Sequence, residues 1–315
     1  MNKKIGIDIG SRYIRTVLPV EPPVYDEEPA VLAFGEGDRP LAFGRAALTL
    51  SERIPGAVKT VFPFSHRNPP DPQEARAVFS FFLRKMNAKG ADLFFSFAGE
   101  RDAEAERILV EAAQEAGATD VLSVDAAYAA AIGCGVGGVS EAAVVNIGSR
   151  AVDMVCFLHA KPAVFGRNAF SGEAMDQAIA SYIFKKYRLT VSPEEAERVK
   201  RELGTLSPAS GRKAEITVMR QAVGLPKKLT VTEEEISSAL EPVFDELADE
   251  ILAMIRSLSC EPVKIILTGG GALLAGLAPA LTSLVCIPVE VAENPAFAVT
   301  RGLGQVIRRS SQKRK

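Results

Sequence analysis

Three glycine turns, each at the end of a short apolar segment, are the parts of the sequence whose residue types could do chemistry. They lie at residues 10–13, 148–151 and 268–274. A glycine turn after a buried strand lets backbone N–H groups approach a phosphate without interference from side chains. Two such turns facing each other could hold a triphosphate, and the third, which precedes an apolar helix start, could support an adenine ring. Each turn alone has a structural explanation, so the specificity lies in the ordered set of three.

Asp8 is the acidic side chain at the end of the first apolar segment, just before Gly10. A carboxylate at a strand end can hold Mg²⁺, often through water, because Mg²⁺ keeps much of its hydration shell and takes few protein ligands. The two histidines, His66 and His159, offer no pair for catalysis. The chemistry indicated is therefore the binding of phosphate and magnesium.

The sequence repeats itself around the first two turns. The tetrapeptide Ile-Gly-Ser-Arg occurs at residues 9–12 and again at residues 147–150, each time between two apolar, strand-like segments. The two copies lie about half a chain apart, which indicates an internal duplication. Two unrelated hairpins are the alternative.

An alternation of helices and strands must position these turns, and hydrophobic periodicity predicts it along the whole chain. Helices are predicted over residues 71–87, 102–116, 126–133, 173–187, from Ser192 onward, 232–258 and 295–309. Strands are predicted before Gly10 and over residues 13–17, 93–97, 120–124, 143–147, 152–158, 215–218, 228–231 and 264–267. Such an alternation is typical of an α/β fold.

Composition and charge limit the classes of protein to which this chain could belong. The chain has 315 residues, 47% hydrophobic and 24% charged, as in a globular protein of about two domains. Its 37 basic and 39 acidic residues give a net charge of −2, so no nucleic-acid partner is expected. The cysteines form no C-x-x-C pair, which disfavours zinc and indicates a reducing cytoplasm; they are Cys134, Cys156, Cys260 and Cys286. No membrane-spanning segment is predicted.

Motifs along nearly the whole chain resemble the MreB-type bacterial actin homologues of the actin, heat-shock chaperone and sugar kinase superfamily. The similar segments are residues 7–11, 53–56, 115–118, 129–133, 144–151, 171–179, 197–200, 267–277, 287–289 and 292–295. The resemblance implies an actin-like two-lobe α/β fold, with two ribonuclease-H-like domains around a nucleotide cleft. It also implies ATP or ADP with Mg²⁺ in that cleft and self-assembly into double filaments, in a cytoskeletal role connected with cell shape.

The resemblance also implies domain boundaries and site residues. Residues 1–142 with 295–315 would form lobe I, and residues 143–294 lobe II, with a small subdomain at about 171–260. The first phosphate motif would supply Asp8, which holds the metal through water, together with Gly10, Ser11, Arg12 and Tyr13. The second would supply Gly148, Ser149, Arg150 and Ala151. The stretch that reaches the nucleoside would be Glu197, Arg198, Val199 and Lys200, and the adenine turn Gly270, Gly271, Ala272, Leu273 and Leu274.

The sequence departs from the family where the chemistry would occur. The family begins its second phosphate motif with Asp and continues Gly-Gly-Gly-Thr. This chain has Asn146, which cannot supply a negative charge, and Arg150 in the loop. Arg12 and Arg150 could bind phosphates directly and partly replace Mg²⁺, fill the pocket, or point to solvent. The sequence leaves these three alternatives open.

A second departure concerns hydrolysis. The family's helix beside the cleft begins Glu-Pro, and that Glu orients the attacking water, whereas this chain has Ala126 and Ala127 there. Asp125 lies one position earlier, where a side chain on a helix start points about 100° away, so no catalytic residue is assigned. Losing a water-orienting base typically costs about 10²- to 10⁴-fold in rate. The sequence therefore predicts an ATPase that is weak at most.

Two hypotheses about function follow. The first is an actin-like filament protein of the MreB or a related group, and the alternative is a non-polymerising pseudo-ATPase binding module of the same fold. A sugar or acetate kinase would need an acidic base for its acceptor, and none is placed. MreB proteins often carry an apolar membrane loop where this chain has residues 87–91, which lack an apolar pair. Attachment to the inner face of the membrane would therefore need a partner protein.

Overall fold

The computed structural model describes residues 2–37, 39–65, 69–97, 103–136, 141–158, 161–168, 171–220, 225–258 and 261–312. Several residues discussed above lie outside this set, namely His66, His159, Cys260, the expected helix start at Asp102 and the basic tail 313–315. The chain divides into two compact units, named here unit 1 (Met1–Gly135 with Phe297–Lys315) and unit 2 (Val136–Ala296). The boundaries expected from the sequence lay after residues 142 and 294.

Strands and helices alternate in both units. Unit 1 begins with β1 (Lys4–Ile9), β2 (Tyr13–Leu18), β3 (Val24–Pro29), β4 (Leu32–Phe34), β5 (Pro40–Phe43), α1 (Arg45–Arg53), β6 (Lys59–Val61), α2 (Pro72–Lys85), β7 (Asp92–Phe97), α3 (Ala103–Glu115), β8 (Val121–Ser123) and α4 (Ala126–Gly133). Unit 2 contains β9 (Ala142–Ile147), β10 (Val152–Leu158), β11 (Lys161–Asn168), α5 (Gly172–Tyr187), β12 (Thr190–Val191), α6 (Pro193–Leu203), β13 (Lys213–Met219), β14 (Pro226–Thr232), α7 (Glu233–Arg256), β15 (Lys264–Thr268), α8 (Leu277–Val285) and β16 (Val289–Val291). The chain then returns to unit 1 as α9 (Ala298–Gln312).

The central sheets of the two units share one strand order. Unit 1 has the order β3-β2-β1-β7-β8, and unit 2 the order β11-β10-β9-β15-β16. In both sheets the first three strands pair antiparallel, and the remaining pairs are parallel. The repeated tetrapeptide therefore occupies the same hairpin turn in each sheet, between β1 and β2 and between β9 and β10.

The central strands are buried on both faces, as expected when helices cover both sides of a sheet. Ile5, Ile7 and Ile9 of β1 are fully buried, and every residue of β9 is buried. Each unit also carries a small three-stranded sheet, β5-β4-β6 in unit 1 and β12-β13-β14 in unit 2. A polar residue at the end of β1 or β9 is thus held in place by an apolar strand behind it.

Hydrogen bonds cap α6 and α7 at the residues where the sequence predicts these helices to begin. Ser192 accepts the N–H of Glu195 at the start of α6, and Thr232 and Glu235 form a reciprocal capping box at the start of α7. Such a cap is typically worth about 1 kcal/mol. Because the cap of α6 fixes where the helix begins, it also fixes which of its residues face the second glycine turn.

Helices α4 and α9 of unit 1 touch backbone to backbone. A Cβ added to Gly302 would lie 1.8 Å from the carbonyl oxygen of Ala129, and one added to Gly133 would lie 1.9 Å from that of Ala298. Backbone atoms in a packed interior cannot yield as the end of a flexible side chain can. This contact anchors α4, which carries the position expected for the water-orienting acid.

We expect Gly302→Ala to lower the free energy of unfolding by about 1–3 kcal/mol, the usual cost of an extra methyl group in a well-packed interface. Gly37→Ala is the matched control, because nothing lies within 4 Å of a Cβ at Gly37. Denaturant unfolding followed by circular dichroism measures both variants. Equal stability of the two would contradict the close contact of α4 and α9.

A buried carboxylate at the start of α7 holds the loop between α6 and β13 in place. Glu233 is 2% exposed. Its Oε1 accepts from Arg212 Nη2 at 2.6 Å, and its Oε2 accepts from the N–H of Ser210 at 2.6 Å. Hydrogen bonds from Arg212, then Ser210, lower the pKa of Glu233 from 4.5 to about 2.

The stability of the protein should therefore depend on pH through Glu233. A carboxylate with a lowered pKa in the folded chain contributes stability above its unfolded pKa and loses it as pH falls towards the folded pKa. We expect the free energy of unfolding to fall as pH falls from 4.5 to about 2, and Glu233→Gln to flatten this slope. Glu234→Gln, at an exposed neighbouring position, is the control. Denaturant titrations at several pH values measure the slope, and equal slopes in the two variants would contradict the assignment.

Candidate functional site

The first glycine turn joins β1 to β2 in unit 1. Asp8 is 7% exposed and stands in register with Arg15 of β2 and Ser96 of β7. A Cβ on Gly10 would lie 2.5 Å from the carbonyl oxygen of Tyr13, so the turn admits only glycine there. The turn thus has one carboxylate at the end of a buried strand. A single carboxylate suits Mg²⁺ when water and phosphate complete its shell.

Contacts within unit 1 hold the other residues of this turn. Ser11 is buried. The guanidinium carbon of Arg12 lies 5.6 Å from the centre of the Phe62 ring, which is a cation–π contact. The guanidinium carbon of Arg15 lies 5.6 Å from the centre of the Tyr13 ring. Arg12 and Tyr13 are therefore positioned by aromatic contacts of their own unit.

Helix α4 begins at Ala126, where the resemblance to the family implies a water-orienting Glu. Ala126, the first residue of the helix, is 3% exposed. Asp125 caps the helix, because its carboxylate accepts the N–H of Tyr128 at 2.9 Å. The first turn of α4, all of which the structure describes, contains no acidic residue. Asp125, the acid nearest in sequence, thus caps the start of α4.

The second glycine turn joins β9 to β10 in unit 2, and the start of α5 holds it. The carbonyl oxygen of Gly148 accepts the N–H of Gly172 at 3.0 Å, and that of Ser149 accepts the N–H of Glu173 at 2.8 Å. The C=O and N–H groups of a trans peptide point in opposite directions. The N–H groups of Ser149 and Arg150 are therefore directed to the side of the turn away from α5. Successive N–H groups that face the same side of a turn can bind an anion.

A hydrogen bond between the first and last residues of this turn closes the hairpin. The N–H of Gly148 donates to the carbonyl oxygen of Ala151 at 2.9 Å. Arg150 and Ala151 are half-buried. The cationic side chain of Arg150 thus starts from a turn whose backbone is fixed by hydrogen bonds on two sides.

A neutral side chain occupies the last position but one of β9, before Ile147 and the second turn. Asn146 is 6% exposed, and its Oδ1 accepts a hydrogen bond from Oγ1 of the fully buried Thr268 at 3.1 Å. Asp153 of β10 is 3% exposed and lies directly opposite Asn146 in the antiparallel register. Sequence reasoning missed Asp153. Its signal is a single acid within the otherwise apolar segment 152–158.

The third glycine turn lies directly against the end of β9. A Cβ on Gly269 would be 2.3 Å from the carbonyl oxygen of Ile147, and one on Gly271 would be 2.2 Å from Cγ2 of Ile147. Gly269 also has a φ of +81°, which favours glycine. The third turn is therefore packed closely against Ile147, the residue that precedes the second turn.

The remaining residues of the third turn lie in different environments. Nothing lies within 4 Å of a Cβ on Gly270, whereas Ala272 is 2% exposed and belongs to the core. Leu273 is 65% exposed. A Cβ on Gly204, at the end of α6, would be 3.1 Å from Cδ1 of Leu274. The open face at Gly270, beside the exposed Leu273, is a surface on which a flat ring could stack.

The side chains of the four α6 residues that resemble the nucleoside-reaching stretch have different surroundings in the structure. Val199 is fully buried, and Arg198 Nε pairs with Glu195 at 2.8 Å. The hydrogen bond from Arg198 lowers the pKa of Glu195 to about 2. Glu197 pairs with Arg201 at 2.6 Å. The side chains of Arg198 and Val199 are thus engaged within unit 2.

Lys200 is the residue of this stretch that lies at the start of α5. Its Nζ donates to the carbonyl oxygen of Gly172 at 2.7 Å and lies 2.7 Å from Oδ1 of Asp176. Neither Gly172 nor Asp176 was expected as a site residue. Only their spacing of four residues, which puts them on one face of a helix, could have indicated that they act together.

Unit 2 therefore gathers the second turn, the third turn and the starts of α5 and α6 into one connected group. The N–H of Leu206, just after α6, donates to the carbonyl oxygen of Ala275 at 2.8 Å and joins α6 to the third turn. The candidate residues at 8–13 and 125–126 belong to unit 1. Among the described residues, no group of three or more His, Cys, Asp or Glu side chains could hold a metal ion. None of the helices in the described ranges is long and apolar enough to cross a membrane.

Two sheets of one strand order, each with a glycine turn after its middle strand, define the class of protein: the chain has an actin-like α/β fold. MreB5 of Spiroplasma citri bound to ADP superposes with a TM-score of 0.88 and 21% identity, over 100% of this chain and 98% of that one. The MamK double helical filament superposes with a TM-score of 0.82 and 16% identity, over 98% of this chain and 99% of that one.

The family follows from the sequence comparisons. The model of the MreB/Mbl protein family matches residues 2–315. The cell shape-determining protein Mbl of Bacillus cereus is 28% identical over 318 residues, which are 96% of this chain and 95% of that protein. The chain belongs to the MreB/Mbl family. The fold class and the family predicted from the sequence are both confirmed.

Proposed function

We propose that this chain is an actin-like cytoskeletal protein that binds ATP or ADP and assembles into filaments, with weak or no ATP hydrolysis. The observation that carries the proposal is the fixed direction of the Ser149 and Arg150 N–H groups, whose turn is held by the first two amides of α5. Donors fixed in advance need no reorganisation when an anion binds. The likeness to MreB5 bound to ADP supports nucleotide binding, and the likeness to MamK in a double helical filament supports assembly.

The proposed metal residue is Asp8. Its carboxylate would hold Mg²⁺ through water, while the nucleotide phosphates supply the remaining ligands. Bound Mg²⁺ would neutralise charge on the phosphates. Asn146 adds no charge on the side of unit 2, and its Oδ1 already accepts from Thr268. Metal binding that depends on one carboxylate should be weaker than metal binding that depends on two carboxylates.

The proposed nucleotide ligands otherwise follow the three turns. Phosphates would contact the first turn at Gly10, Ser11, Arg12 and Tyr13, and the second turn at residues 148–151. The adenine would lie on residues 270–274, with Glu197 beside the sugar. Units 1 and 2 would be the two lobes of the actin-like fold, with Asp8 in the first and Asn146 in the second.

The proposed setting is the cytoplasm, where the filament would act in cell shape as the name of the Mbl relative indicates. Association with the inner face of the membrane would be provided by a partner protein. The alternative function is a pseudo-ATPase module that does not polymerise. Asn146 and Ala126 favour this alternative, because both stand where the family has an acid.

We expect the purified protein to sediment as polymer on ultracentrifugation, with more polymer when ATP is present than when nucleotide is removed. The physical reason is linkage: a nucleotide that prefers the assembled state drives assembly. Pelleting and light scattering at increasing protein concentration, without nucleotide and with ADP or ATP, are the measurements. A protein that stays monomeric under all these conditions would contradict the filament proposal and favour the alternative.

We expect ATP to bind while its turnover stays near background. The double substitution Ala126→Glu with Asn146→Asp should raise turnover, because it restores both acids together and groups that act as a unit are not additive. Each single substitution is a control, and Arg150→Gly is added if the guanidinium occupies the phosphate site. Thermal unfolding is measured alongside, because Ala126 is 3% exposed and a carboxylate there loses hydration.

Phosphate release and ATP binding by calorimetry measure the two properties separately. Rapid turnover by the unmodified protein would show that Asp125 or another acid performs the reaction. An absence of any nucleotide binding would overturn the ATP part of the proposal.

A further inference from the structure

We propose that Lys200 and Asp176 form a positioning pair that holds the phosphate-facing peptides of the second turn in place. This inference rests on the proposed function, because it concerns the same nucleotide site. It gives Lys200 a role different from the nucleoside contact that the family resemblance implies.

The pair joins two helices at one end of α5. The Nζ of Lys200, from α6, lies 2.7 Å from Oδ1 of Asp176 and donates to the carbonyl oxygen of Gly172 at 2.7 Å. The side chains of Lys200 and Asp176 are only 14% and 10% exposed. Removing one partner of such a buried pair leaves the other charge uncompensated. The contact therefore restrains the first turn of α5 strongly.

The first turn of α5 in turn restrains the glycine turn. Gly172 and Glu173 donate their N–H groups to the carbonyl oxygens of Gly148 and Ser149. Gly172 lies at the centre of this arrangement. A Cβ placed there would be 3.5 Å from Lys200 Nζ, 3.5 Å from Ser149 Cα and 3.6 Å from the Gly148 oxygen. The ammonium group, the helix start and the turn are thus packed together.

The position of α5 would affect nucleotide binding through the backbone of the second turn. The peptides of Gly148 and Ser149 direct their carbonyls to α5, so a displacement of α5 rotates the N–H groups on the opposite side. Lys200 therefore acts on phosphate affinity without touching phosphate. A direct contact of Lys200 with the nucleoside would affect adenosine and ATP alike, whereas positioning of the turn affects ligands that carry phosphates.

The experiment compares Lys200→Met, Asp176→Asn, the double variant and the conservative variant Lys200→Arg in the full-length protein. Lys264→Met is the matched control, because Lys264 forms an exposed pair with Glu290 at 2.6 Å in the same unit. Calorimetry gives the affinity for ATP, and competition with ATP gives that for adenosine. Hydrogen–deuterium exchange of residues 148–152 is measured without nucleotide, and thermal unfolding confirms that each variant is folded.

We expect Lys200→Met and Asp176→Asn each to weaken ATP binding by about tenfold, as the loss of residues that orient binding groups commonly does. The double variant should lose no more than either single one, Lys200→Arg should keep most of the affinity, and adenosine affinity should stay unchanged in all. Exchange of residues 148–152 should accelerate in the two single variants and not in Lys264→Met.

Two results would overturn the positioning role. The first is an equal loss of adenosine and ATP affinity in Lys200→Met with none in Asp176→Asn, which would assign Lys200 to the nucleoside. The second is unchanged exchange in both single variants. Failure of the proposed function is distinguishable, because then the unmodified protein binds no ATP while the exchange measurement still reports on the pair. If Lys200→Met alone does not fold, the double variant and Lys200→Arg carry the test.

Discussion

The hydrogen bonds between the first turn of α5 and the second glycine turn are the interaction on which the candidate site of unit 2 depends. The first N–H groups of a helix have no partner within it, and here Gly172 and Glu173 give theirs to carbonyls of the glycine turn. One interaction thus satisfies the helix start and orients the turn. The affinity for the proposed nucleotide would benefit, because groups that are ordered in the unbound protein need not be ordered on binding. The third turn shares this rigidity, since its glycines lie against the end of β9.

This scaffold is independent of the acids that the sequence lacks. Asn146 keeps its hydrogen bond with the fully buried Thr268, and Ala126 lies at the buried start of an apolar helix. A carboxylate at either position would have to be desolvated, which costs free energy unless a partner compensates it. The chain can therefore lose the groups that manage water and metal without losing the turns, caps and backbone contacts that shape the site. The proposed nucleotide binding would therefore not depend on the acids that the family is expected to use for hydrolysis.

Features with a local signal were predictable from the sequence. The three glycine turns, the central strands and the Ser192-Pro193 helix start each show themselves within a few residues. The strands β4, β5 and β6 were not predicted, because they are only three or four residues long and show no sustained alternation. A polar edge strand such as β3, with sequence VYDEEP, is missed because it lacks the apolar run of a buried strand.

Side-chain roles were harder to predict than elements. The resemblance to the family assigns one role to all four residues 197–200. Successive side chains of a helix, however, point about 100° apart. Val199 consequently faces the core while Lys200 faces the start of α5. Asp176 carries no local signal of its partner, because α5 and α6 must pack before the two charges meet. Contacts between distant segments therefore determine what each candidate side chain touches.

A nucleotide site that binds without turnover has a specific consequence for an assembling protein. Coupling between nucleotide binding and assembly is reciprocal, so the factor by which nucleotide favours assembly is the factor by which assembly tightens nucleotide. Hydrolysis would take the filament away from this equilibrium, since the bound nucleotide would change after assembly. Without the acids expected at positions 126 and 146, the proposed filament would respond to nucleotide concentration as an equilibrium. Its length and lifetime would then be set by affinity, which in unit 2 depends on how firmly α5 holds the second glycine turn.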